Sequence, residues 1–170
     1  ALAAEIRAEG GEALALELDV TDADQLLAVV GKAEAAFGVV TILVNNAGIP
    51  DAQRATKMSV DLIDRVIGVN LRAPYILSCE VARRLMAAKL PGRIVNIASV
   101  AAYEYRGNGA ALYAVTKSAV VRMTEALSVE WASANINVNA IAPGAFASEM
   151  MDGMMSRIGD FSQHFPRKRL

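Results

Sequence analysis

The pattern that most limits how this chain can fold is an alternation. Short apolar runs of strand type, each closed by polar or glycine-rich punctuation, are separated by longer stretches with helical spacing. Strands divided by helices pair in parallel rather than as hairpins, so the alternation predicts βαβ units and a layered α/β fold. Strand candidates fall at 13–18, 39–44, 93–98 and 135–142. The second is a nearly continuous apolar run, as expected of a parallel strand buried on both faces, and it empties into Asn45-Asn46-Ala47-Gly48.

The helical stretches carry start and stop signals. Residues 1–9 are halted by Gly10-Gly11; Thr21 is placed to cap a helix over about 22–37, with Leu26, Leu27, Val30 and Phe37 facing inward and Gly38 as the stop. A long pattern over 59–89 contains Pro74, which has no N–H to offer the carbonyl of Asn70, so that carbonyl is predicted to stay free. Residues 112–134 read as one long helix, Pro143-Gly144 ends the last strand, and 148–159 read as a short helix rich in Met.

Composition removes several classes of function. The 170 residues suit a single domain, 1–170, and 54% hydrophobic residues, against a usual share of about 45–50%, exclude intrinsic disorder. Seventeen Lys and Arg against 18 Asp and Glu leave a net charge of −1, which argues against nucleic-acid and membrane-surface partners. One cysteine, Cys79, and one histidine, His164, are too few for a disulfide or an ordinary zinc site, so no metal is expected and a reducing, cytoplasmic setting fits. No apolar run approaches the roughly 20 residues that cross a bilayer. The chain opens inside a helical pattern without Met or a cap and ends without a terminating strand, which predicts a longer native protein.

Ligands of open α/β sheets bind beyond the carboxyl ends of the strands, where the polar residues here collect. Tyr113 and Lys117, four apart on a helix, share one face and can meet one substrate. A free Tyr hydroxyl, pKa about 10, is a poor acid or base at neutral pH, and a nearby ammonium lowers that value. Ser99 follows a strand and can hydrogen-bond a substrate oxygen. Plainer readings exist for each: a surface Tyr with a Lys lying along its helix, a Ser that ends a strand, Asn45 and Asn46 as turn formers, Asp19 as a helix cap. Met150, Met151, Met154 and Met155 fit either an apolar lid or packing, Tyr103 and Tyr105 lie where a pocket wall would run, and Arg167-Lys168-Arg169 reads as a solvated stretch.

Taken together, Asn45-Asn46-Ala47-Gly48, Asn70, Ser99, Tyr113-x-x-x-Lys117 and Pro143-Gly144 resemble, in order and spacing, the short-chain dehydrogenase/reductase family, with 3-oxoacyl-ACP reductase-like members. The resemblance implies a Rossmann-like doubly wound parallel sheet and hydride transfer between NAD(P)(H) and a small ketone or secondary alcohol. It implies that Tyr113 passes the proton, that Lys117 lowers its pKa and binds the nicotinamide ribose, that Ser99 polarises the carbonyl, and that the main-chain carbonyl of Asn70 holds a water. It places Asp19 and Val20 near adenine, Asn46, Ala47 and Gly48 along the adenosine ribose, and Pro143, Gly144, Phe146 and Ser148 around the carboxamide and phosphates. Phe146 stands where the family has an aliphatic residue, and Ser148 where it has Thr.

The G-x-x-x-G-x-G loop that would cradle the pyrophosphate is absent from these residues, as is the residue that would read the adenosine 2′ position. The choice between NAD and NADP therefore stays open. Against the family order the first two strands and the last strand are missing, so the sheet is expected to be incomplete, with a gap between strands 13–18 and 39–44. Two functions remain: the reductase or dehydrogenase, and a truncated, non-catalytic fragment or assembly module. A homodimer or homotetramer through the helices near 70–89 and 112–134 is compatible with both.

Overall fold

The computed structural model describes residues 2–51, 53–105, 107, 109–160 and 162. His164 and Arg167-Lys168-Arg169 lie outside the described residues. Among the described residues the α-helices and β-strands follow in the order α1 (Leu2–Ala8), α2 (Ala23–Phe37), β1 (Ile42–Asn45), α3 (Val60–Ile67), α4 (Ala73–Ala88), β2 (Gly92–Ile97), α5 (Ala111–Glu130), β3 (Ile136–Ile141) and α6 (Glu149–Ile158). The strands form one parallel sheet in the order β1-β2-β3, with Val44 opposite Val95 and Ile94 opposite Val138. This is a Rossmann-like α/β arrangement with an incomplete sheet.

Two crossovers that step in the same direction with the usual right hand put their helices on one face of the sheet. Ile94, Ile136 and Val138 point to that face and are buried with Val81 and Leu85 of α4 and Val120 and Leu127 of α5. α2 packs on α4 as an outer layer: Val30 joins the same core, and Arg84 reaches Glu34 at 2.6 Å. α4 approaches β2 so closely that a Cβ on Gly92 would overlap Leu85, which fixes glycine at the start of that strand. Asn45 and Asn96 also face this layer: Asn45 Nδ2 donates to Asn96 Oδ1 (2.8 Å) and Ser78 Oγ (3.0 Å), and Asn96 Nδ2 donates to Thr124 Oγ1 (2.9 Å).

Four expectations are corrected. Residues 13–18 form no strand, because a strand needs a neighbour to take its ladder hydrogen bonds and this segment lies exposed with none. The run 39–44 is not buried on both faces: Ile42 is 58% and Val44 54% exposed, since among the described residues no element covers the side of the sheet they share with Val95 and Ile141. Asp22 rather than Thr21 caps α2, its carboxylate accepting from the N–H groups of Asp24 and Gln25, while Thr21 donates to Asp19. The pattern 59–89 divides at a π-helical turn, Gly68–Arg72, just before Pro74.

Candidate active site

The candidate residues gather at the carboxyl edge of the sheet because every strand ends there. The loop after β1 brings Gly48 and Ile49 over the π turn that carries Asn70. There Asn70 Oδ1 accepts from Ile49 N (2.8 Å) and Asn70 Nδ2 donates to Ile49 O (2.9 Å), a two-point clasp that holds the loop down. Asn70 Nδ2 also faces Thr116 Oγ1 at 3.3 Å, and Thr116 donates to the Tyr113 carbonyl at 2.8 Å, so the π turn and the first turn of α5 are joined. The helical donor that Asn70's own carbonyl would await is residue 74, a proline.

Ser99 follows β2 in extended backbone, and Tyr113 and Lys117 lie on successive turns of α5. The Ser99 side chain lies close enough to the Tyr113 hydroxyl to favour its ionised form. Lys117, 4% exposed, donates to the Ile97 carbonyl at 2.6 Å and lies 5.7 Å from the centre of the Tyr113 ring. Its ammonium also flanks Gly48, where a Cβ would come within 3.5 Å of Nζ and 3.6 Å of Asn70 Oδ1. Ser99, Asn70, Tyr113, Lys117 and Gly48 are thus brought to one place by four separate segments.

The electrostatics differ from the expectation that Lys117 acidifies Tyr113. Burial pushes the Tyr113 phenol above its ordinary value, and the Ser99 side chain pulls it partly back. The same burial holds the Lys117 ammonium below the usual lysine value. Desolvation disfavours the charged form of each, phenolate and ammonium alike.

A groove of about 1260 Å³ opens beside this cluster, lined by Asp19, Val20, Ala47, Gly48, Arg65 and Arg72 among others. Arg72 ties its walls together, donating to the Thr21 carbonyl at 3.3 Å. Asp19 sits at its rim, its carboxylate held below the usual range by the backbone and side-chain hydrogen bonds of Thr21. Asn46 is exposed and is not part of this lining. Pro143 accepts from Val100 N at 3.0 Å, which sets the loop after β3 beside Ser99. Gly144 and Phe146 are exposed on that loop, and Ser148 caps α6 by accepting from Met151 N at 3.3 Å. Tyr103 and Tyr105 are exposed, whereas Met151, Met154 and Met155 are half-buried. Asn45 turns inward into the core, so it is neither a turn former nor a groove residue.

One participant carried no signal in the sequence reading: Asp51, whose carboxylate accepts from the N–H groups of Leu112 and Tyr113. The available sign was negative, since no Ser, Thr, Asp or Asn directly precedes α5, leaving its first N–H groups to a distant partner. Among the described residues no group of three His, Cys, Asp or Glu is placed to hold a metal ion, and no helix is long and apolar enough to cross a membrane.

Comparison with known proteins gives this geometry a family. The sequence pattern described as short chain dehydrogenase matches residues 1–158. A 2-dehydro-3-deoxy-D-gluconate 5-dehydrogenase of Dickeya dadantii is 41% identical over 143 residues, 84% of this chain and 56% of that protein. A 3-oxoacyl-[acyl-carrier-protein] reductase of Synechocystis is 36% identical over 155 residues, 91% of this chain and 62% of that one. Among solved structures, a short-chain type dehydrogenase/reductase from Mycobacterium marinum superimposes with a TM-score of 0.93 at 28% identity, over 99% of this chain and 67% of its own. A 4-hydroxyisoleucine dehydrogenase complexed with NADH superimposes with a TM-score of 0.74 at 33% identity, over 84% of this chain and 62% of its own. The chain therefore spans a little over half the length of the curated relatives it matches, and it belongs to the short-chain dehydrogenase/reductase family.

Proposed function

We propose that this chain is the catalytic part of an NAD(P)-dependent oxidoreductase that interconverts a small ketone and a secondary alcohol, with Tyr113 as the proton donor and acceptor. The observation that carries this reading is the convergence of Ser99, Tyr113 and the buried Lys117 ammonium, 5.7 Å from the Tyr113 ring, at the carboxyl edge of the sheet. Two hydroxyls converging on one point can hold a single substrate oxygen, Ser99 polarising it while Tyr113 exchanges the proton.

The residues fit part of a dinucleotide. The groove from Asp19 and Val20 to Ala47 and Gly48 would take the adenosine end, and the loop of Pro143, Gly144, Phe146 and Ser148, anchored beside Ser99 through Val100 N and Pro143 O, would meet the nicotinamide end. Lys117 has three N–H donors and gives one to Ile97, so the others remain for ribose hydroxyls. When bound, the nicotinamide supplies or takes up the hydride; the chain's own residues orient the substrate and move the proton. Asn70's main-chain carbonyl, freed by Pro74, would hold the water through which that proton reaches solvent.

The Dickeya and Synechocystis relatives act, by their names, on a sugar acid and an acyl thioester, and both names are compatible with a carbonyl substrate here. We also propose pairing of two or four copies through α4 and α5, because Tyr75, Met86, Val115 and Val129 leave large side chains exposed on those helices. Light scattering is expected to return a multiple of the subunit mass. A clean monomer at micromolar concentration would remove this part.

In the protein as its source makes it, Tyr113→Phe is expected to lower turnover by roughly 100-fold or more while leaving the fold intact. Unchanged turnover would sink the acid–base role and favour a non-catalytic assembly module.

A further inference from the structure

One buried acid has no part in the proton path described above. Asp51 lies three residues past Gly48 and is 2% exposed. Its Oδ2 accepts from Leu112 N at 2.9 Å and Tyr113 N at 3.1 Å, while its Oδ1 is equally buried and has no hydrogen-bond partner among the described residues. A carboxylate with one oxygen unsatisfied is costly to sink into protein, so a specific gain must hold it there. That gain lies at the N-terminus of α5, whose open N–H groups and dipole favour a negative charge.

α5 has no cap of its own. Ala110 precedes it and makes no side-chain hydrogen bond to its first turn, so Asp51 supplies the cap across 61 and 62 residues of sequence. The loop that bears Asp51 is itself fixed, since Asn70 clasps both backbone groups of Ile49 two residues earlier. A Cβ on Gly109 would stand 3.7 Å from the Gln53 backbone, so the two loops lie against each other just outside this contact.

We propose that Asp51 is a positioning residue that fixes the first turn of α5 and thereby sets the Tyr113 hydroxyl against Ser99. The proposal deepens the reading of Tyr113 as the proton carrier and rests on it. Asp51 meets the backbone of Tyr113 rather than its phenol, so it acts through Tyr113 and touches neither substrate nor the groove from Asp19 to Gly48.

The test compares Asp51→Ala with Asp51→Asn in the protein as its source makes it. Both variants carry the same charge, but only Asn keeps an acceptor for the two N–H groups, so any difference between them reports geometry. The first readout needs neither substrate nor cofactor: the ultraviolet titration of Tyr113, isolated by subtracting Tyr113→Phe. Displaced from Ser99, the phenol loses the neighbour that favours its ionised form, so Asp51→Ala is expected to titrate higher than Asp51→Asn by about half a pH unit or more. The second readout is ketone reduction, in which kcat of Asp51→Ala is expected to fall about tenfold or more below that of Asp51→Asn, with the nicotinamide KM within about threefold. Asp51→Ser replaces Asp51→Ala if the latter does not melt cooperatively. Equal titration and equal kcat in the two variants would overturn the proposal. Full turnover in Tyr113→Phe would instead overturn the proton-carrier reading, and the titration would still report whether Asp51 places the phenol.

Discussion

At the scale of single residues, the pair Ser99 and Tyr113 makes the sharpest statement about pH. Burial raises the Tyr113 phenol and the Ser99 side chain lowers it, so Ser99→Ala leaves only the upward push. Carbonyl reduction uses the protonated phenol, which in the variant persists to higher pH. Alcohol oxidation uses the deprotonated form, and its rising limb moves toward alkali. Rate profiles in both directions check this: the two limbs shift together to higher pH in Ser99→Ala, and limbs that stay in place would mean that another group titrates. The sequence marked the two residues separately, Ser99 just after a strand and Tyr113 near the start of a helix, both local signals. Asp51 was not marked, because its partners lie about 60 residues away and no periodicity marks an acid that caps a distant helix.

Among the elements, the break between α3 and α4 carries the clearest test. Pro74 provides no N–H at the position where the carbonyl of Asn70 would ordinarily be met, and the turn Gly68–Arg72 widens to π geometry just before it. Pro74→Ala restores that donor. The helix is then expected to run through, with a melting temperature equal to or above the original, while turnover falls because the Asn70 carbonyl is occupied. Opposite movements of stability and activity distinguish this from simple damage, which would lower both. The sequence showed the proline but not the π turn, since backbone pitch depends on which carbonyls find donors. It located β1, β2, β3, α2 and α5 to within a few residues from their apolar runs and faces, helped by Gly38 after α2, Pro91-Gly92 before β2 and Pro143-Gly144 after β3. It failed at 13–18, where the alternation Leu14, Leu16, Leu18 is strand-like but a strand exists only with a partner.

For the 170-residue chain as a whole, the side of the sheet that no described element covers decides behaviour. Parallel sheets are ordinarily buried on both faces, yet here Ile42, Val44 and Ile141 stand open on one side while α4 and α5 cover the other. Full burial of one such aliphatic side chain contributes about 1.5–3 kcal/mol, so three on one face favour any apolar cover by several times thermal energy. The 170-residue chain made by itself is expected to bind an apolar dye such as anilinonaphthalene sulfonate and to associate at micromolar concentration. Ile42→Thr together with Val44→Thr keeps strand propensity while removing apolar area, so the pair should reduce both dye fluorescence and sedimenting mass. The α4 and α5 face is untouched by these changes, and any pairing through Val115 and Val129 would survive them. Sedimentation of the two forms therefore separates the surfaces: association abolished by the double substitution belongs to the open sheet, and association that persists belongs to the helices. A chain that neither binds dye nor associates would mean that the open face is covered by residues of its own.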